Sequence, residues 1–141
     1  MEIEYEIIER NGKKYVKTDS CESYPMALSV AGYAVHRYQS FGSYQGEWVA
    51  EVEKDGDRFW IKSYYGSCSG CDHFEANCST EYADDYSEDY GYPLDDVLRV
   101  ASDTVDDRVE FSEIVEWIDE SSEWDCEADE AREWLKQQGL I

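Results

Sequence analysis

A chain of 141 residues fits one domain. Its 42% hydrophobic and 15% aromatic content argues for folding, despite a formal charge of −22. That charge excludes direct binding to nucleic acid and to anionic membranes, since both need cations to neutralise phosphates. The excess is lopsided: residues 1–70 hold 11 acids and 8 bases, whereas residues 71–141 hold 23 acids and 4 bases. The chain therefore divides into a near-neutral part (1–66) and a strongly acidic part (67–141). A basic protein surface is the favoured partner, and the nucleic-acid channel of another protein is one such surface.

No apolar run approaches the roughly 20 residues that cross a bilayer. The opening MEIEYEIIER is acidic and alternating, unlike a signal peptide. A soluble, cytoplasmic protein with reduced thiols is expected, because five cysteines without an export signal do not suggest a disulfide framework.

In chain order, Ile3 to Thr18 predicts a hairpin. Ile3, Tyr5 and Ile7 alternate with Glu2, Glu4 and Glu6, and Asn11-Gly12 supplies a two-residue turn. Ser20 to Gly42 predicts a helix through Ala27, Val30, Ala31, Ala34, Val35 and Tyr38, with Pro25 in its first turn and Gly32 as its weak point. His36 reads as a surface residue. Glu47 to Tyr65 predicts a second hairpin turning at Asp55-Gly56. Its return strand carries Phe59 and Ile61 on one face and Trp60 on the other, which points to cover on both sides.

Thr80 to Tyr90 predicts a short helix from the spacing of Tyr82, Tyr86 and Tyr90. Leu94 to Val105 predicts a helix whose buried stripe is Leu94, Val97, Leu98, Ala101 and Val105. Val109 to Ile118 fits either helix or strand. The last helix begins near Ser122, buries Trp124, Ala128, Ala131 and Leu135, and stops at Gly139. Strands followed by helices give an α+β class: an antiparallel sheet of two hairpins with acidic C-terminal helices packed on it. The tryptophans read as core.

Three chemistries compete. Cys68-x2-Cys71-x-His73-x4-Cys78 has the residue types of a tetrahedral zinc site. It shares the two ends of a zinc knuckle but has one residue where the knuckle has four, so Cys126 is an alternative ligand. No cofactor is the favoured reading, with zinc as the alternative. A thiol enzyme would need a base and a lowered thiol pKa, but His36 and His73 are the only histidines and an anionic field raises thiol pKa values. The third is mimicry of a phosphate strand. Carboxylates on successive helical turns lie roughly 5–6 Å apart. The candidates are Asp84, Asp85, Glu88, Asp89, Asp95, Asp96, Asp103, Asp106 and Asp107, and a purely solubilising acidic face is the bland alternative.

Tyr64-Tyr65-Gly66-Ser67-Cys68-Ser69-Gly70-Cys71-Asp72, after a hairpin that starts near Tyr44-Gln45-Gly46, resembles small phage and bacterial proteins with a Tyr-Gly-Ser-Cys-Ser-Gly-Cys-Asp signature. The likeness covers about residues 43–90, extends loosely to Trp117-Ile118-Asp119 and the last helix, and leaves out His73 and Cys78. It implies a phage-type setting in a host cell and assigns no activity. The expectation is a non-enzymatic inhibitor that occupies a basic groove of a host nucleic-acid-binding defence protein, with a zinc-stabilised interaction module as the second reading and a thiol enzyme as the third.

Overall fold

The computed structural model describes residues 1–67, 70, 72–82, 90–121 and 126–141. Cys68, Cys71, Asp84, Asp85, Glu88, Asp89 and the expected start of the last helix at Ser122 to Asp125 lie outside the described residues.

The α+β class holds, and each hairpin seeds its own antiparallel sheet. Strands β1 (Glu6–Arg10) and β2 (Lys13–Lys17) turn at Asn11 and Gly12, with φ of 54° and 78°. Positive φ at both turn residues matches the twist of the flanking strands. After helix α1 (Ser23–Val30), strands β3 (Ala34–Gly42), β4 (Gly46–Lys54) and β5 (Asp57–Tyr65) form a meander, and Asp55 and Gly56 repeat the same turn at 54° and 82°. The short helix α2 (His73–Asn77) follows. Then come β6 (Glu81–Tyr82), β7 (Tyr90–Pro93), α3 (Leu94–Val105), β8 (Arg108–Val109), α4 (Phe111–Glu120) and α5 (Cys126–Gln137). The sheet orders are β1-β2-β7-β6 and β3-β4-β5-β8.

The second sheet is buried on both faces. On one side Trp48, Ala50, Val52, Phe59 and Ile61 pack against α1, α3 and Val16 of the first sheet. On the other, Phe41, Val49 and Trp60 pack against Ile114 and Ile118 of α4 and Ala131 and Leu135 of α5. The two-sided cover expected for β5 is present, because Trp60 and its neighbours Phe59 and Ile61 belong to different cores.

Several expectations are corrected. The helix expected through Gly42 ends at Val30, where Gly32 takes a φ of 94° that breaks the helical path. The β-branched and aromatic residues beyond it then join β3 instead. The Thr80–Tyr90 helix is replaced at both ends by strand pairing, Glu81 with Gly91 and Tyr82 with Tyr90. Gly91 is a strand residue and not a stop: a Cβ there would meet the Val16 carbonyl oxygen at 2.6 Å, so its lack of a side chain lets β7 lie against β2. The α3 stripe is rotated. Val100 and Thr104 are buried beside Val97 and Ala101, whereas Leu98 is exposed. On the first strand of the first hairpin Ile8 is the buried residue, while Tyr5 and Ile7 are exposed; Tyr15 and Val16 are buried on the return strand. The ambiguous stretch after Val109 resolves as helix, since Glu110 and Glu113 form a reciprocal capping box at its start.

Candidate functional site

Helix α3 and the turn after it carry the described members of the acidic set. Asp95 and Asp106 are exposed. Asp96 accepts from Arg99 at 2.9 Å, one turn on along the same face. Asp103 meets His73 Nε2 at 2.9 Å, which ties α2 to α3. Asp107 accepts from the Ser63 hydroxyl at 2.6 Å, and its carbonyl accepts from Lys62 N at 3.3 Å, which fastens the turn to β5. The row of carboxylates along α3 is therefore interrupted by Arg99, and two of its members have local structural tasks.

The structure adds an acidic face outside the candidates named from the sequence. Glu116, Asp119 and Glu120 of α4 and Asp129, Glu130 and Glu133 of α5 are exposed, opposite the stripes those helices bury. The buried stripe at Ala128, Ala131 and Leu135 was legible, and the same periodicity assigns these acids to solvent.

All four cations of residues 71–141 are taken. Arg99 pairs with Asp96, Arg108 with Asp57, Arg132 with Asp129, and Lys136 with Glu133. Arg108 is engaged by a carboxylate of the other half. The acids beyond residue 70 thus outnumber the bases of the same stretch, 23 to 4, and those four bases already have partners.

Of the zinc candidates, Cys78 and His73 lie within the described residues, and each has surroundings of its own. Cys78 is buried in the core beneath α3. Burial, with a smaller push from the Asp96 carboxylate, raises its thiol to about 12, so it is protonated at neutral pH. His73 heads α2, with Nε2 at Asp103 and Nδ1 3.2 Å from the Asn77 amide nitrogen. The Asn77 amide donates to Nδ1, and the Nε2 hydrogen then points at Asp103. Cys126 is exposed at the start of α5, across the second sheet from Cys78. Among the described residues no three His, Cys, Asp or Glu groups converge as metal ligands.

Asp72 of the cysteine loop has a structural task that sequence reasoning missed. Only 6% exposed, it accepts from the Tyr24 hydroxyl at 2.7 Å and Gly66 N at 3.0 Å through one oxygen. Its other oxygen accepts from Glu75 N at 3.0 Å and caps α2. Tyr24 in turn stacks on Trp48 with ring centroids 5.0 Å apart. Burial, then the bond to Asp72, drives the Tyr24 hydroxyl well above its ordinary pKa. One buried carboxylate closes both ends of the loop onto the core.

No family model, curated protein or solved structure matches the chain. The functional reading therefore rests on these residues.

Proposed function

We propose that this is a non-enzymatic, phage-type inhibitor that occupies a basic groove of a nucleic-acid-binding host protein by presenting carboxylates where phosphates would lie. The observation that carries the reading is the exhausted supply of cations in the acidic half. Each of its four bases is already paired, so the acidic half keeps an excess of carboxylates over its own cations, and a basic partner surface is the favoured complement. Rigid presentation supports it too: α3 is packed through Val97, Val100 and Ala101 and the turn after it is fastened by Ser63, so the backbone that carries its carboxylates is ordered before binding. The buried, protonated Cys78 gives no support to a thiol mechanism at that residue.

The test is affinity capture from host extract, followed by competition on the purified partner. Duplex DNA should displace the protein, and affinity should fall steeply with salt. Changing Asp95, Asp96, Asp103 and Asp106 to lysine should weaken binding by at least about tenfold and flatten the salt dependence. A partner that holds DNA and this protein together, or binds the four-lysine variant as tightly, overturns the mimicry and leaves a solubilising face.

A further inference from the structure

Among the described residues, strand β3 lies at the edge of the second sheet, next to β4 alone. An edge strand offers its outward main-chain groups to any chain that can pair with it. Around Ser40 those groups have side chains as partners. The Glu130 carboxylate accepts from Gly42 N at 2.8 Å, and the Gln39 amide donates to the Ser40 carbonyl at 3.3 Å. Ser40 and Gly42 are two residues apart, so their outward groups share one side of the strand. Glu130 stands where a neighbouring strand's carbonyl would stand.

Two hollows flank this edge, one on each face of the sheet, and Ser40 lines both. The larger, about 520 Å³, lies between β3 and α5. Its floor is Phe41 and the half-buried Trp134, 6.1 Å apart, and its rim is Asp129, Glu130 and Glu133. The smaller, about 210 Å³, is walled by Tyr24, Tyr38 and Tyr65 and by Glu22, Asp72 and Glu75. No Lys, Arg or His lines either hollow, and none occurs among residues 68–71, which lead into Asp72.

We infer that the β3 edge is a docking site for an extended basic segment of a protein partner, which adds to the sheet as a fifth strand. The side chains of a strand alternate between its faces. On one face apolar side chains would lie over Phe41 and Trp134. On the other, arginines would enter the tyrosine-walled hollow, where guanidinium groups meet carboxylates and aromatic faces together. Main-chain pairing supplies affinity and the two hollows supply selectivity, as in other cases of strand addition. The inference shares with the mimicry reading the expectation of a basic partner. It concerns a different face, and its test needs no identified partner.

The probe is a short synthetic peptide of alternating arginine and valine, titrated into the full-length protein by calorimetry. Its control has the same sequence with every second backbone nitrogen methylated. Loss of main-chain donors should weaken binding by about tenfold or more. Binding of the unmodified peptide should slow amide exchange at Tyr38 and Ser40. D129N together with E133Q, or E22Q together with E75Q, should each weaken it by about fivefold. D95N with D96N should change it by less than about twofold at matched ionic strength. Equal binding of the methylated peptide, or equal losses from the α3 pair and the two hollow pairs, overturns strand docking. Survival of strand docking while the lysine variants of α3 leave partner binding intact would overturn the mimicry reading alone.

Discussion

The hairpins β1–β2 and β4–β5 turn through Asn11-Gly12 and Asp55-Gly56 with nearly the same backbone angles, yet they do different things in the molecule. The first leaves Tyr5 and Ile7 exposed, gives Val16 to the main core and adds a two-residue cluster of Ile8 and Tyr15. The second supplies Trp48, Val49, Ala50, Val52 and Ile61, all fully buried, to cores on both of its faces. The turn decides how a hairpin closes. What covers its faces decides how much it stabilises, because the hydrophobic gain follows the area removed from water.

The largest break in this comparison is expected from Trp48→Ala. It should cost about 3–5 kcal/mol of unfolding free energy in urea, whereas Ile8→Ala should stay near the lower end of about 2–5 kcal/mol for truncating an aliphatic core residue. Glycines sharpen the contrast. A Cβ on Gly46 would lie 1.9 Å from the Phe41 carbonyl oxygen, while one on Gly12 meets nothing within 4 Å. Gly46→Ala should therefore cost about 3 kcal/mol, at the top of the overpacking range, and Gly12→Ala about 1 kcal/mol from backbone conformation alone.

A smaller effect should follow pH. Burial alone would raise the Glu51 carboxyl, but the Arg58 and Arg37 guanidiniums outweigh it and hold it below the ordinary glutamate range. A carboxylate depressed in the folded state stabilises the fold above its unfolded pKa, and that stability disappears as pH falls through the folded value. Glu51→Gln should thus cost about 1 kcal/mol at pH 7, and the gap from wild type should close below about pH 4. Equal gaps at both pH values would remove the ion pairs as the cause.

Thiol chemistry gives the smallest signals. Cys21 and Cys126, both exposed, should react with a disulfide reagent at pH 8 in the folded protein, and Cys78 only after unfolding. Elemental analysis of protein purified without chelator should find no stoichiometric zinc, and a chelator should leave Tm unchanged. Zinc at one per chain with a lowered Tm would restore the zinc-stabilised module.

What the chain could reveal by itself was whatever short-range chemistry enforces. Both hairpin turns were legible because Asn-Gly and Asp-Gly tolerate positive φ. Helix α3 was legible from apolar spacing, and the stop near Gly139 from a glycine with φ of 73°. The acidic bias of residues 71–141 needs no structure at all. Tertiary contacts decided the rest. Residues Ala34 to Tyr38 have helical spacing and a strand fate, because pairing with β4 contributes more than local propensity. The Tyr82 and Tyr90 spacing misled in the same way, since β7 finds its partner far back at Tyr15 and Val16. Asp72 looked like one acid among many until Tyr24, 48 residues away, came to hydrogen-bond it. Likewise, no local pattern brings the β3 edge beside Glu130 of α5, 88 residues beyond Gly42. Turns, caps and periodicity act over a few residues and are written locally. The partners that bury a strand, orient a carboxylate or leave an edge open come from distant parts of the chain, and packing alone brings them together.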